Sequence, residues 1–400
     1  MQEKELNKED KIQGMRFSDI PGNEEIKKAF VSMADSGRIP HAMLLYENEG
    51  CGALPLAMAF IQYIACKNHS SSDSCGVCPV CNRMSKIIHP DVHFIFPVNS
   101  GSKISVSKPT SESYLPLWRE IVSENPYFLE NQLYDYLGID GKSGNIAVAE
   151  AKAILDRLSL TAVEDGYKSV IIWLPERMNA ETANRLLKVV EEPPEKTLFI
   201  FITHSPEKVL QTISSRCQAF RILPSSREQV AAVLEKSFGF SQVDAENASA
   251  IAGGSVGVAL QEIGDREEYT VFQDIFSDML RGTHSGNLLS VLEASEQISA
   301  FKSKEKQKAF CIFAGESFRK IYMVAYKMST VANLKQEESD FFADAAAWFS
   351  PQFCEQMMSV LDRSVMLLDR NVNPKLVFCD FADRLFVSGA SKQNQVYRNK

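Results

Sequence analysis

Long uncharged apolar runs are absent from the 400-residue sequence, so no membrane-spanning helix is expected. A basic excess is absent too. Lys and Arg number 43 against 51 Asp and Glu, a net charge of −8, which argues against a protein whose whole surface grips nucleic acid while leaving room for a local basic patch. The opening residues, Met1-Gln-Glu-Lys-Glu-Leu-Asn-Lys-Glu-Asp10, lack the apolar segment of a secretory signal, so the cytoplasm is the expected compartment. What is present is ordinary for globular chains, with 45% hydrophobic and 24% charged residues. The length suggests two or three domains.

A further absence is local. His41-Ala-Met-Leu-Leu-Tyr46 reads as a buried strand, Glu47 to Leu54 as a glycine loop, and Leu56 to Cys66 as a helix. Strand, loop and helix are the frame of GxxxxGK[ST], in which backbone N–H groups cradle phosphates, the Lys meets the β/γ-phosphates and the hydroxyl holds Mg²⁺. Gly50 and Gly52 stand where closing glycines belong. Glu47 stands for the first Gly, Ala53 for the Lys and Leu54 for the Ser/Thr. An ordinary strand-to-helix turn also accounts for these residues.

Of nine cysteines, Cys66, Cys75, Cys78 and Cys81 fall within sixteen residues with the spacing C-x8-C-x2-C-x2-C. Thiolates two residues apart reach one metal through a tight turn, and Gly76 and Pro79 supply the turn chemistry. Four thiolates make a closed, structural zinc site; four unligated thiols in a surface loop are the alternative. His69 is a rival ligand, but the four thiolates are complete without it. His89 and His93, four apart on an expected strand, either share a metal or are an ordinary turn-and-strand pair.

The rest reads as an α/β chain followed by helices. Strands are expected at 89–97, 167–173, 197–203 and 218–223, and helices at 23–36, 146–160 and 182–192. Strands alternating with helices predict a parallel sheet covered on both faces, with ligands at the carboxyl ends of the strands. Residues 99–110 read as a loop, and Tyr114, Trp118 and Ile121 give 111–136 the packing face of an inserted helical piece. Residues 225–264 are helical with a glycine-marked junction at Ala252-Gly-Gly-Ser-Val-Gly257, and further helices are expected at 269–281, 286–299, 304–327, 337–349, 351–369 and 374–388.

Several stretches line up in one order: the loop, the cysteine module directly after its helix, Asn184-Arg-Leu-Leu-Lys188-Val-Val-Glu-Glu-Pro-Pro194, and Thr212-Ile-Ser-Ser215-Arg216-Cys217. The last two resemble the signatures N-x-LLK-x-x-EEPP and T-I-x-SRC of the bacterial clamp-loader AAA+ proteins, the gamma/tau and delta-prime subunits of the DNA polymerase III holoenzyme. The resemblance covers roughly 16–96 and 146–264, leaves 97–145 as an insertion, and is echoed by the Asn371–Leu376 turn in the family's C-terminal collar. It implies an α/β P-loop-type AAA+ core at 16–222 with the zinc module at 66–81, a small helical lid at 223–265 and an all-α collar at 266–390 that joins subunits into a ring; the residues themselves read as a frayed leader at 1–15 and a polar tail at 391–400.

Against that family the departures are specific. Ala53 and Leu54 remove the main phosphate contacts, and Glu47 sets a carboxylate where phosphates would lie. Trp173 takes the place of the Mg²⁺-binding acid, leaving Glu176. Gly257 takes the place of a lid arginine. Thr203 and His204 lie where the family senses phosphate. No nucleotide is therefore expected in this loop, and ATP is expected only on neighbouring subunits. The resemblance implies a non-hydrolysing stator of the delta-prime kind, with Arg216 as an arginine finger in trans and Ser215 positioning it, partnered by gamma/tau and delta subunits and, through the assembled complex, by the sliding clamp and primer–template DNA, with no membrane. A structural arginine paired with a carboxylate is the other reading of Arg216, and Cys217 reads as a small buried residue. Rival functions are a gamma/tau-like ATPase motor, a zinc-module nucleic-acid binder, and a scaffold for another assembly.

Overall fold

The apolar runs of the α/β part become the inner strands of a five-stranded parallel sheet because their residues alternate between two buried faces, while the last strand, at one edge, is largely exposed. In the computed structural model, which describes residues 15–104, 106, 108–139, 143–159, 162–164, 166–301, 303–328 and 339–398, the five strands are β1 (Ala42–Tyr46), β2 (Val92–Ile95), β3 (Lys168–Trp173), β4 (Thr197–Thr203) and β5 (Gln218–Arg221), in the order β2-β3-β4-β1-β5. The β1–β4 register pairs Ala42 with Phe199 and Tyr46 with Thr203, and β3–β4 pairs Lys168 with Thr197. Met43, Leu45, Ile171, Trp173, Leu198, Ile200 and Ile202 face one core; Ala42, Leu44, Val170, Ile172, Phe199 and Phe201 face the other. Apolar residues on both faces are what a parallel sheet demands.

The chain divides into two compact units, 1–263 and 264–400. In the first, α1 (Glu24–Asp35), α2 (Ala53–Ala65) and α3 (Pro79–Ser85) precede β2. The insertion supplies α4 (Ser111–Glu124) and α5 (Glu130–Leu137), and α6 (Val148–Leu158), α7 (Ala180–Glu191) and the short α8 (Gln211–Ser214) follow. α1, α2, α4 and α5 cover one face of the sheet, and α6 and α7 the other. Tyr114, Trp118 and Ile121 are buried, so the aromatics of the insertion are packing residues. After β5 come α9 (Arg227–Phe238), α10 (Gln242–Ile251) and the start of α11 (Val256–Ser285), which share a small core of their own.

The second unit is helical throughout its described residues: the rest of α11, then α12 (Leu288–Ser299), α13 (Lys304–Ala325), α14 (Ser339–Trp348), α15 (Pro351–Asp369) and α16 (Pro374–Arg398). Its core is rich in phenylalanine, with Phe272, Phe276, Phe310, Phe318, Phe353, Phe378 and Phe381 all buried. Among the described residues no helix is long and apolar enough to cross a membrane.

Several boundaries differ from the sequence reading. The expected leader, 1–15, lies outside the described residues except for Met15, which is buried in the first core. The strand expected at 89–97 is only Val92–Ile95, at one edge of the sheet, so His89 precedes it. The helix expected from Leu56 begins at Ala53, directly on the loop. The gap expected near 265 is absent, because α11 runs through it. The last helix continues past Gly389 to Arg398, where a polar tail was expected; positions 399 and 400 lie outside the described residues, as do 329–338 before α14. Neither 265 nor 389 carries a proline, and a lone glycine is tolerated inside a helix at a cost of about 1 kcal/mol.

That cost is testable at Gly264, where an added Cβ meets nothing within 4 Å. Gly264→Ala is expected to raise the urea midpoint, stabilising the chain by about 1 kcal/mol. A lower midpoint would mean that α11 is interrupted there.

Candidate functional site

The loop Glu47–Gly52 sits at the carboxyl end of β1 and feeds straight into α2. Gly52 adopts φ +108° as it enters the helix, a conformation side chains rarely take. The first N–H groups of a helix have no partners within it and attract anions. Here the anion is internal: Glu47, buried, accepts a hydrogen bond from the Ala53 N–H at 2.7 Å. Ala53 and Leu54 are themselves buried in the core.

The neighbouring strand ends close around that carboxylate. His204, just past β4, places Nε2 3.6 Å from Glu47 and Nδ1 3.9 Å from Glu49. Burial pushes the imidazole pKa down, but the hydrogen bond to Glu47 and the charges of Glu47, Glu49 and Glu176 outweigh it, so the net shift is upward. Glu176, past β3, accepts from the Thr203 hydroxyl at 2.8 Å and from the His204 N–H at 3.3 Å. Burial raises the Glu176 pKa, and those hydrogen bonds oppose the rise. Trp173 packs against Phe128, Trp118 and His204, with ring centroids 5.3, 6.0 and 5.7 Å away. An indole in an aromatic cluster supplies no ligand for a cation.

The first turn of α11 lies directly on the loop. Gly257 N–H donates to the Gly50 carbonyl at 3.1 Å, and the Ser255 hydroxyl donates to the Glu49 carbonyl at 2.8 Å. A Cβ at Gly257 would lie 2.1 Å from the Tyr127 carbonyl, so no arginine fits there without displacing the chain. Sequence reasoning thus brought Glu47, Gly50, Gly52, Ala53, Leu54, Trp173, Glu176, Thr203, His204 and Gly257 to one place, and missed Glu49, Ser255 and residues 127–130. A cleft of about 1230 Å³ lies between α1, Ser71–Asp73 and α9, but no residue from 47 to 54 lines it.

The cysteine module lies at the other end of α2, roughly 20 Å along its axis. The four Sγ atoms all lie within 4.8 Å of one another. Cys66–Cys75 is 3.5 Å, and Cys66–Cys78 and Cys75–Cys81 are 3.9 Å. A tetrahedron with metal–sulfur bonds of ~2.3 Å, the zinc–thiolate length, has sulfurs ~3.8 Å apart. The set therefore fits a tetrahedral metal ion. Gly76 turns the chain with φ +74°, and Cys78 caps α3, whose N–H at Cys81 reaches the Cys78 sulfur at 3.5 Å. N–H groups of Val77 and Cys78 hold the Cys75 thiol down to about 6, whereas burial raises Cys66 and Cys81. His69 is exposed, packs against Tyr63 with the rings tilted 45° to each other, and stays outside the cluster. His89 pairs with Glu164 at 3.3 Å; burial, helped by Arg157 3.3 Å away, pushes the His93 pKa down to about 4; neither histidine joins a metal cluster.

Arg216 stands apart from both places, just after α8. Its guanidinium donates to the Thr212 carbonyl at 2.8 Å and to the Ser215 hydroxyl at 3.2 Å, and pairs with Glu191 at 2.5 Å. More than a third of the side chain remains exposed. Cys217 is half-buried, and burial pushes its thiol up to about 12. In the sequence Glu191 stands only as one acid of the Asn184–Pro194 motif. An acid at a helix C-terminus opposes the helix dipole, and that was the available sign of a specific partner.

The His204 arrangement predicts a pH dependence. A histidine whose folded pKa is raised contributes stability that is fully present below its unfolded value, about 6.5, and is lost as pH rises through the folded value. The stability difference between the wild-type chain and His204→Gln, measured by urea unfolding, is therefore expected to shrink from pH 6 to pH 9. A difference that grows with pH would contradict the pairing with Glu47.

A family model described as "DNA polymerase III, delta subunit" matches residues 22–226. The DNA polymerase III subunit delta' of Yersinia pestis is 29% identical over 48% of this chain and 44% of its own length, and that of Escherichia coli K12 is 27% identical over 58% and 56%. The gamma/tau subunit of Mycobacterium bovis is 28% identical over 52% of this chain and 29% of its own. The chain thus spans about half the length of the delta' relatives it matches, or less of the gamma/tau one. A solved gamma subunit-related protein from Thermotoga maritima covers 92% of this chain and all of its own at 16% identity, with a TM-score of 0.31, too slight a likeness to bear on the fold. With the family model spanning half of its residues, the chain belongs to the DNA polymerase III delta subunit family of clamp-loader proteins.

Proposed function

We propose that this chain is a non-hydrolysing, delta-prime-like subunit of a bacterial DNA polymerase III clamp loader. The observation that carries the reading is Glu47 at the N-terminus of α2, a carboxylate held where a phosphate-binding loop would receive its anion. Ala53 and Leu54 offer neither cation nor hydroxyl, and Trp173 offers no Mg²⁺ ligand. Relatives named as delta' subunits support the choice of member. In this reading gamma/tau and delta subunits assemble with the sheet unit and with the helical unit as a collar, and the assembled complex meets the sliding clamp and primer–template DNA. ATP binds only to neighbours.

Arg216 then acts on the neighbour. An arginine reaching a γ-phosphate in trans stabilises transition-state charge, and its exposure and single carboxylate partner suit that role. Arg216→Ala, assembled with gamma/tau and delta, is expected to leave assembly intact and to cut ATP turnover at the adjacent site by roughly 10³-fold or more. Clamp loading on primed DNA falls with it. Undiminished loading and turnover would remove the finger role.

The four cysteines hold one structural zinc, closed to substrate because no fifth ligand position is open. Metal analysis of protein prepared without chelator is expected to find about one zinc per chain. Cys78→Ser is expected to lower that content and the thermal stability together. Protein that is folded and free of zinc would refute the assignment.

A further inference from the structure

The turn between α4 and α5, Asn125-Pro-Tyr-Phe-Leu129, belongs to the insertion, and its consecutive side chains enter different parts of the first unit. The Asn125 side chain accepts the Tyr127 N–H at 2.9 Å and fixes the turn. Tyr127 is buried in the core of α9, α10 and the first part of α11, beside Val230, Leu234, Ala248 and Val256. Its ring lies 6.5 Å from Phe238, and its edge covers Gly52, where an added Cβ would meet it at 3.1 Å. Phe128, the next residue, is buried in the sheet core with Trp118 and Trp173. Leu129 touches both glycines of the contact, its Cδ2 2.9 Å from where a Cβ on either Gly50 or Gly257 would be. Glu130 N–H donates to the Glu49 carboxylate, and the Glu130 side chain takes Arg177 at 2.7 Å and the Tyr134 hydroxyl at 2.6 Å.

We propose that residues 125–130 are a built-in strap that packs against both the loop and α9–α11 beside their direct contact, and that holds those helices against the sheet without a nucleotide. Two neighbouring aromatic residues anchored in two separate cores can part only if one of them is drawn out into water. The space into which a phosphate-bearing ligand would draw the helices is already filled, by Glu47 at the end of α2 and by Tyr127 and Leu129 above the glycines. Closure of this helical layer is therefore a fixed property of the fold rather than a response to a ligand. The inference concerns the chain alone and does not depend on its place in a clamp loader.

The test is hydrogen–deuterium exchange on the full-length chain. It follows the Gly257 amide, which is bonded to the Gly50 carbonyl, against the amides of β4 as an internal reference. Tyr127→Ala is expected to speed exchange at Gly257 and in α9–α11 at least tenfold, with β4 unchanged. Leu133→Ala removes an equally buried side chain of the insertion that faces only the sheet core. It is expected to lower the melting temperature without that selective rise. Millimolar Mg·ATP added to the wild type is expected to leave Gly257 exchange unchanged. If Tyr127→Ala does not fold, Tyr127→Leu serves in its place, with a smaller rise in the same direction. Exchange at Gly257 that is unaltered by both Tyr127 variants, that rises only in step with β4, or that is slowed by ATP in the wild type overturns the proposal.

Discussion

One carboxylate organises the first unit. A buried charge survives only if paired and hydrogen-bonded, and Glu47 meets both conditions through the Ala53 N–H and His204. The consequences spread outward. The anion at the head of α2 is a side chain, and Gly50 closes against Gly257 beside it; under the proposed function the loop then needs no space for a ligand. The end of β3 carries Trp173 and its aromatic neighbours, which under the proposed function is open to it because no cation has to be held there. Because His204 must face the loop, Glu176 and Thr203 fix its backbone from the side.

The sheet was legible in the sequence because β3 and β4 are buried on both faces and show as unbroken apolar runs. The helices were legible as existing but not as to where they stop. Ala53 starts α2 where the pattern began at Leu56, because Gly52 and the Glu47 carboxylate set the boundary, and a carboxylate six residues away carries no periodicity. The run of α11 through 265 was hidden for a related reason: Gly264 lowers helix propensity, but a single glycine loses to the packing on either side of it.

At the site, legibility followed sequence distance. The cysteines announced themselves because their spacing is local, and four sulfurs within 4.8 Å is what that spacing allows. The altered residues of the loop were visible because a frame existed in which each position had an expected occupant. The contacts that fill the space around the loop were not visible. Tyr127 meets Gly52 from some seventy-five positions away and meets Val256 from more than a hundred in the other direction. Nothing in Asn125-Pro-Tyr-Phe-Leu129 itself says that its two aromatic rings enter different cores.

The loop and Arg216 differ in how easily their charges can be redirected. Glu47 is buried and held by an N–H and an imidazole, so exchanging it for an external anion means drawing its side chain out of the core and leaving both partners without it. Arg216 is held by one carboxylate near the surface, with both side chains more than a third exposed. Such pairs are worth only about 0–1 kcal/mol. A phosphate offered by another chain is a stronger, bidentate partner for a guanidinium than a solvated glutamate. Under the proposed function, Glu191 therefore holds Arg216 in a defined place before that partner arrives and releases it at little cost. Under the proposed function, the same chain has made its own anion site hard to open and has left its one exposed guanidinium at the SRC motif easy to give away.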